Sequence, residues 1–167
     1  MSAPAPAATV LRPARPDDVP LILELVRELA VYERLEHAAV ATAADMHAAL
    51  FGPHPAAEVL IAERGGQAAG FALFFTSFST FLGKPGLYLE DLFVRPAHRG
   101  LGIGRQLMVE LARIALARGY GRFEWSVLDW NAPAIAFYRG LGAQPMDGWT
   151  VQRVTGAALQ ALAGASD

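Results

Sequence analysis

The most informative stretch of the chain is residues 92–107, with the sequence Leu-Phe-Val-Arg-Pro-Ala-His-Arg-Gly-Leu-Gly-Ile-Gly-Arg-Gln-Leu. An apolar run leads into a turn, alternate glycines follow at Gly100, Gly102 and Gly104, and a long amphipathic segment begins. This order predicts a strand, a glycine loop and a helix. The N–H groups at a helix start lack internal partners and carry the positive end of its dipole, and glycines let the backbone approach a bulky anion. The stretch therefore predicts a ligand phosphate held by backbone amides.

Two common phosphate loops fit this stretch poorly. A P-loop needs Lys and then Ser or Thr after its last glycine, whereas Gly104 is followed by Arg105 and Gln106. A dinucleotide fingerprint needs G-x-G-x-x-G, whereas this chain has G-x-G-x-G. Glu124 lies about where that fingerprint places its acidic residue. Arg99 before the glycines, and the late position of a single strand–loop–helix unit in the chain, argue against a dinucleotide site. The remaining pattern is R-x-x-G-x-G, from Arg99 to Gly104.

This R-x-x-G-x-G run resembles the pyrophosphate loop of the GNAT N-acetyltransferases. Residues 88–94, Tyr-Leu-Glu-Asp-Leu-Phe-Val, are similar to that superfamily's central strand. Residues 130–142, Trp-Asn-Ala-Pro-Ala-Ile-Ala-Phe-Tyr-Arg-Gly-Leu-Gly, are similar to its last motif, in which a helix carries an acid tyrosine. With residues 28–33 (Glu-Leu-Ala-Val-Tyr-Glu) and Gly148-Trp149, the pattern resembles the diamine (spermidine/spermine) and thialysine acetyltransferase branch over roughly residues 9–163. The resemblance implies an α/β, GNAT-like (acyl-CoA N-acyltransferase) fold: a central mixed, mostly antiparallel sheet with splayed strands, flanked by helices.

Composition narrows the class of protein. The chain has 167 residues, 53% of them hydrophobic, enough for one domain with its own core. A formal net charge of −2 without a basic stripe gives non-specific nucleic-acid binding no electrostatic basis. No segment approaches the roughly 20 apolar residues of a membrane span, and the start has no signal-peptide pattern. We therefore expect a disordered tail at 1–8, a single acetyltransferase domain at 9–167, and a cytoplasmic protein with no nucleic-acid or membrane partner.

Cysteine and histidine usage bears on metal sites and nucleophiles. The chain has no cysteine, which excludes disulfides, thiolate metal sites and cysteine nucleophiles. Its four histidines (His37, His47, His54 and His98) are scattered without metal-ligand spacing. We therefore predict no metal site.

Hydrophobic periodicity and turn residues predict the elements. We expect strands at residues 9–15, 58–64, 68–78, 87–94, 122–128 and 150–154. We expect helices beginning at Asp17 or Asp18 and at Thr42, and further helices at 102–118, 132–141 and 156–163. Gly65-Gly66-Gln67 predicts a hairpin turn, and Thr42 with Asp45 predicts a capping box. The family resemblance implies that the strands at 87–94 and 122–128 splay apart.

The same resemblance implies acetyl-CoA as the co-substrate. The amides of residues 100–105 would face its pyrophosphate, the Arg99 or Arg105 side chain would add charge-assisted bonds, and the pantetheine arm would pair with the backbone of residues 92–94. The predicted coenzyme-binding residues are Leu92, Phe93, Val94, Arg99, Gly100, Leu101, Gly102, Ile103, Gly104, Arg105, Asn131, Ala134 and Tyr138.

Acetyl transfer to an amine requires removal of a proton. A lysine-like ammonium has a pKa of about 10.4, so its neutral form lies roughly 4.6 kcal/mol out of reach at pH 7. The resemblance places a substrate-facing acid at Glu90, which we predict is the base or the anchor of a proton relay; the alternative is a half-exposed strand carboxylate. Strict strand alternation would send Asp91 to the opposite face, so we expect Asp91 to be structural.

Tyr138 is the predicted acid for the leaving sulfur. Its spacing with Ile135 and Leu141 also fits an ordinary core stripe, and the family motif favours the acid role. Asn131 is equally compatible with hydrogen bonding to the pantetheine amides and with capping its helix.

The amine site is predicted from the branch resemblance, which places Tyr32 and Glu33 near the amine; the surface end of a helix is the alternative. Glu124, Trp125 and Ser126 are predicted to line the same pocket, or are plain strand residues. The polyamine-acetylating relatives carry an acid in the loop before the central strand, whereas residues 78–84 here contain no acid and the chain's only lysine, Lys84. This departure favours a short, lysine-like amine such as thialysine over spermidine.

Two other functions remain open from the sequence. A protein or peptide N-acetyltransferase would differ in its partner, and a non-catalytic acyl-CoA-binding module would need neither Glu90 nor Tyr138. The resemblance also implies a homodimer, with which the open strand edges of a small sheet are compatible.

Overall fold

The computed structural model describes residues 7–165. Residues 1–6 of the expected tail lie outside the described residues, and residues 7–8 precede the first strand. The contacts within the chain define two compact units, Met1–Ser126 and Val127–Asp167, which are described in turn. The expectation of one domain over 9–167 stays a prediction.

The strands and helices of the first unit follow one another in the predicted order. Its strands are β1 (Thr9–Pro13), β2 (Glu58–Arg64), β3 (Gln67–Ser79), β4 (Lys84–Val94) and β5 (Phe123–Trp125). Its α-helices are α1 (Val19–Glu33), α2 (Ala43–Phe51) and α3 (Ile103–Ala117). The fifth strand is shorter than the predicted 122–128.

These strands form one mixed sheet in the order β1-β2-β3-β4-β5, as the resemblance implies. Every neighbouring pair is antiparallel except β4 and β5, which run parallel. The predicted hairpin between β2 and β3 is confirmed, because Gly65 and Gly66 have φ values of 58° and 76°, the left-handed geometry that a two-residue turn of this kind requires.

Helices cover both faces of this sheet. On one face, α1 and α2 bury Ile22, Leu25 and other apolar residues against β2, β3 and β4. On the other face, α3 buries the stripe that contains Leu107 and Leu111, packing on β3 and β4. The glycine loop is thus the turn that carries the chain from the end of β4 to the start of α3.

Side-chain caps were predicted at the starts of α1 and α2, and the structure has the one at α2 but not the one at α1. The predicted capping box of α2 is confirmed: Thr42 Oγ1 accepts from the Asp45 N–H at 3.2 Å, and Asp45 accepts from the Thr42 N–H at 2.8 Å. Asp18 precedes α1, but its carboxylate accepts from Arg12 at 2.7 and 2.9 Å instead of capping that helix. The Arg12 guanidinium lowers the pKa of Asp18.

The second unit contains α4 (Ala132–Gly140) and α5 (Gly156–Ala163), close to their predicted bounds. The strand predicted at 150–154 is wrong: these residues pair with no strand of the described chain. A strand requires a ladder partner as well as suitable side chains, and sequence propensity reports only the side chains.

Candidate active site

The glycine loop has the backbone geometry of an anion site. Gly100 and Gly102 have φ values of 75° and 78°, and no atom lies within 4 Å of where a Cβ would stand on either residue. Within residues 7–165, the N–H groups of residues 100–105 donate to no acceptor. Six consecutive amides at a helix start therefore remain open to a phosphate or pyrophosphate.

The two arginines of the loop have different surroundings. The Nε of Arg99 donates to the Val94 carbonyl at 2.9 Å, and its guanidinium carbon lies 4.9 Å from the centre of the Tyr32 ring and 5.7 Å from that of Phe93. Arg105, in the first turn of α3, makes no hydrogen bond or ion pair with the described residues. Arg99 therefore lies against α1 and the end of β4.

Strand β4 contains a β-bulge at Glu90. Phe74 of β3 lies opposite Leu89, and the next residue, Leu73, lies opposite Asp91, so Glu90 has no partner on β3. An extra residue of this kind shifts the alternation of side chains between the two faces. The expectation that Glu90 and Asp91 point to opposite faces of the sheet assumed strict alternation of side chains along β4. The bulge breaks that alternation.

Asp91 belongs to the sheet face that α1 covers. Its cross-strand partner Leu73 packs in the α1 cluster, as does Phe93 two residues further along β4. Burial, as the largest cause, and the neighbouring carboxylates of Glu90 and Glu33 together raise the pKa of Asp91 to about 7. Burial also raises the pKa of Glu33, the last residue of α1. The structure thus brings Glu33, Glu90 and Asp91 together at the junction of α1 and β4.

The predicted residues of β5 are divided between the two faces. Glu124 lies opposite Tyr88 in the parallel register and forms an ion pair with Arg122. The Tyr88 hydroxyl hydrogen-bonds Ser126 Oγ at 2.9 Å, so Ser126 joins this face. Trp125 alternates to the other face, where its ring lies 4.9 Å from that of Phe123. Glu124 and Ser126 therefore share the Asp91 face, whereas Trp125 does not.

Strands β4 and β5 separate just before the bulge. Their register covers Leu87, Leu89 and the residue between them, whereas β4 continues to Val94. Between Glu90 and Val94, no described strand of the first unit lies along the β5 side of β4. The splayed arrangement is confirmed, and it leaves a backbone edge open beside the acidic residues.

The predicted residues of the second unit lie on α4 and its cap. Asn131 is buried and its Oδ1 accepts from the Ala134 N–H at 3.3 Å, which confirms the capping alternative. Tyr138 is half-buried, with its ring 5.3 Å from that of Phe137. The roles of Asn131, Ala134 and Tyr138 toward a coenzyme stay predictions.

Sequence reasoning missed Asp91 as a member of this site. The adjacent acids Glu90 and Asp91 were visible, but residues 87–94 are mostly apolar in both alternating sets, so no pattern reveals the bulge. In residues 7–165, no group of three or more acidic or histidine side chains has the arrangement of a metal site. Among the same residues, no helix has the length and apolar character needed to cross a bilayer.

The chain is similar to a known enzyme family and to named acetyltransferases. The model of the acetyltransferase (GNAT) family matches residues 22–143. The chain is 37% identical to the thialysine N-epsilon-acetyltransferase of Mus musculus over 169 residues, covering 95% of this chain and 99% of that protein. It is 34% identical to the L-ornithine N5-acetyltransferase of Arabidopsis thaliana, covering 91% and 86%.

A solved structure shows the same fold. The integron cassette protein VCH_CASS6 of V. cholerae superposes with a TM-score of 0.77 at 28% identity, over 94% of this chain and 98% of that one. The match of the family model over most of the chain, together with these relatives, places the protein among the N-acetyltransferases. The chain belongs to the acetyltransferase (GNAT) family.

Proposed function

We propose that this protein transfers the acetyl group of acetyl-CoA to a small primary amine, thialysine-like or a diamine or polyamine, by direct attack in a ternary complex. The observation that carries the proposal is the group of Glu33, Glu90 and Asp91 beside the open edge of β4. Carboxylates that lie close to one another attract an ammonium ion, because the cation relieves their mutual repulsion. The relatives named for thialysine and L-ornithine acetylation support the same substrate class.

The glycine loop and the free edge of β4 fit the coenzyme. The backbone N–H groups of residues 100–105 donate no hydrogen bond to the described residues, so they are available to the pyrophosphate of the coenzyme. The backbone of residues 92–94 is available to the amides of the pantetheine arm, as an added strand would be. Acetyl-CoA, when bound, supplies the activated acyl group; the residues of the chain bind it and orient it.

The proton of the ammonium passes to the acidic pair on β4. We propose Glu90, which is exposed at the bulge, as the group that accepts it directly or through water. Asp91 lies next to it with a pKa of about 7, near the pH at which a general base works best. Glu90→Gln and Asp91→Asn are a matched pair, because each removes one carboxylate and keeps its size.

We expect Glu90→Gln to lower kcat/KM between pH 6 and 9 by about a hundredfold, the usual contribution of a general base. Asp91→Asn is expected to lower it less and to flatten its dependence near pH 7. An unchanged kcat/KM for Glu90→Gln would contradict the role of Glu90. The reverse order of the two effects would transfer that role to Asp91.

The hairpin before β4 favours a short amine. Residues 80–83 join β3 to β4, and Lys84 is the chain's only lysine. A long polycation would find no acid in this turn and would meet a like charge at its end. We therefore propose a thialysine-like amine ahead of spermidine.

A thiol-release assay tests the proposal. Acetyl-CoA would be supplied with thialysine, lysine, ornithine, putrescine, spermidine, spermine and a short lysine peptide. We expect the highest kcat/KM with thialysine or another short amine. A preference for spermidine would contradict the interpretation of the 78–84 loop, a preference for the peptide would indicate a protein acetyltransferase, and coenzyme binding without turnover would indicate a non-catalytic module.

A further inference from the structure

The segment that leaves β4 is attached to one stripe of α1 by two arginines. Arg95 donates to Glu28 at 2.7 Å and also pairs with Glu24. Arg99 lies over the ring of Tyr32, 4.9 Å from its centre. Positions 24, 28 and 32 succeed one another every four residues and therefore form one stripe of the helix.

The side chain of Arg99, although exposed, makes three contacts with its neighbours. Its Nε donates to the Val94 carbonyl at 2.9 Å, and its planar group lies near the rings of Tyr32 and Phe93. A guanidinium is suited to this arrangement because it is planar and stacks on aromatic rings, whereas an ammonium is a compact point charge. The contacts join the last turn of α1 to the end of β4.

The Arg99 contact lies at the C-terminal end of α1, where the proposed amine-binding residues stand. Tyr32 and Glu33 are followed by Arg34, which has a φ of 61° and is the one non-glycine residue among 7–165 with a positive φ. A residue with a Cβ adopts this conformation unfavourably. The backbone N–H groups of Arg34 and Leu35 close the helix by donating to the Ala30 carbonyl, and the Arg99 contact with Tyr32 adds a tertiary contact between this helix end and the end of β4.

We propose that Arg99 is a positioning residue for the amine, acting through Tyr32, and that Arg105 is the arginine that faces the coenzyme phosphates. The assignment rests on the proposed function, because it takes Tyr32 and Glu33 as the amine-binding end of α1. The sequence pattern treats Arg99 and Arg105 as equivalent, but the structure separates them. Arg99 lies against α1, whereas Arg105 forms no hydrogen bond or ion pair with the described residues. Arg99 thereby links amine binding to the loop that binds the coenzyme.

The first test compares Michaelis constants. Arg99→Lys keeps the charge and loses the planar contact, so we expect the KM for the amine to rise about five- to tenfold and the KM for acetyl-CoA to change less than about twofold. Arg105→Gln is expected to show the opposite pattern. Arg113→Lys is the matched control, since Arg113 lies exposed on α3 with Glu110 as its ion-pair partner, and we expect both constants to stay unchanged.

A double-mutant cycle tests whether Arg99 acts through Tyr32. In a Tyr32→Leu background, Arg99→Lys is expected to raise the amine KM by less than about twofold, because its partner is already gone. In a Tyr32→Phe background, which keeps the ring, the full effect of Arg99→Lys is expected. The proposal would be overturned if Arg99→Lys raised the amine KM by the same factor in the Tyr32→Leu background as in wild type. It would also be overturned if Arg99→Lys selectively raised the KM for acetyl-CoA.

Calorimetric titration of the amine into the enzyme saturated with CoA separates this inference from the proposed function. Wild-type protein that binds amines without turnover would contradict catalysis, and the affinities of the Arg99 variants would still decide the positioning role. Turnover by the wild type with an unchanged amine KM in Arg99→Lys would contradict the positioning role alone. Wild-type protein that binds no amine would contradict both.

Discussion

Burial of Asp91 beside two other carboxylates disfavours its charged form. Its pKa rises from 3.8 to about 7, first through burial and then through Glu90 and Glu33. In the unfolded chain, where it is solvated, the same carboxyl group ionises at its ordinary pKa. The folded protein therefore binds more protons than the unfolded chain between these two pH values.

This difference predicts how stability depends on pH. The protonated Asp91 stabilises the fold fully below about pH 4, and this stabilisation is lost as the pH rises to about 7, beyond which it stays constant. Relative to wild type, Asp91→Asn should gain up to about 4 kcal/mol in the free energy of unfolding between pH 4 and pH 8. Urea unfolding of both proteins at several pH values measures the difference.

Asp147→Asn is the control for this experiment, because Asp147 is exposed. We expect its unfolding free energy to run parallel to that of wild type across the pH range. If the unfolding free energy of Asp91→Asn also ran parallel to that of wild type, the fold would not raise the pKa of Asp91.

Tyr138 is predicted to protonate the leaving thiolate. Because a thiol has a pKa of about 8.5 and leaves tolerably well without a proton, the expected effect is moderate. Tyr138→Phe should lower kcat by about ten- to a hundredfold, or roughly 1.4 to 2.7 kcal/mol. Tyr120→Phe serves as the control, since the Tyr120 hydroxyl bonds to Thr76 and has no assigned role. A decrease in kcat of less than about twofold, measured by steady-state kinetics, would make Tyr138 a core residue.

At the level of helices and strands, the periodicity of apolar residues and the capping residues predicted most of the fold. The buried stripe of α3, the capping box of α2 and the glycine hairpin between β2 and β3 each depend on local chemistry, which the sequence displays. The bulge at Glu90 depends on register with β3, and the length of β5 depends on where it separates from β4. Such properties of strand pairs are not encoded in one segment alone.

The glycine loop permits a test of conformation without a change in packing. Gly102 precedes α3 with a φ of 78°, and a Cβ there would meet no atom within 4 Å. Gly102→Ala should therefore lower the unfolding free energy by about 1–2 kcal/mol through backbone strain alone. It should also raise the KM for acetyl-CoA, because the amides of the loop would lose their alignment.

Gly140→Ala is the matched control for Gly102→Ala. Gly140 ends α4 without a positive φ, and it also has open space around a Cβ. We expect Gly140→Ala to be neutral or slightly stabilising, because alanine suits a helix better than glycine does. Equal thermal unfolding of the two variants would show that the left-handed geometry at Gly102 is not required.

For the whole molecule, the distribution of exposed apolar side chains bears on the predicted homodimer. The second unit exposes Met146, Trp149, Val151, Leu159 and Leu162, with Trp149 at 79% and Val151 at 78%. A contiguous exposed apolar patch is typical of a surface that another chain covers, and we predict that these side chains form such a patch. The homodimer stays a prediction, and we predict that its contacts involve these residues.

The prediction is that the protein sediments as a dimer at micromolar concentration and that Trp149→Ser with Val151→Ser weakens it. Each side chain buried in an interface contributes on the order of 1.5 kcal/mol, so the double variant should raise the dissociation constant of the dimer at least about tenfold. Leu116→Ser is the control, because Leu116 is equally exposed at 78% but lies on α3 in the first unit. Sedimentation equilibrium distinguishes the outcomes. A monomeric wild type would contradict the dimer, and weakening by Leu116→Ser alone would move the interface from the second unit to α3.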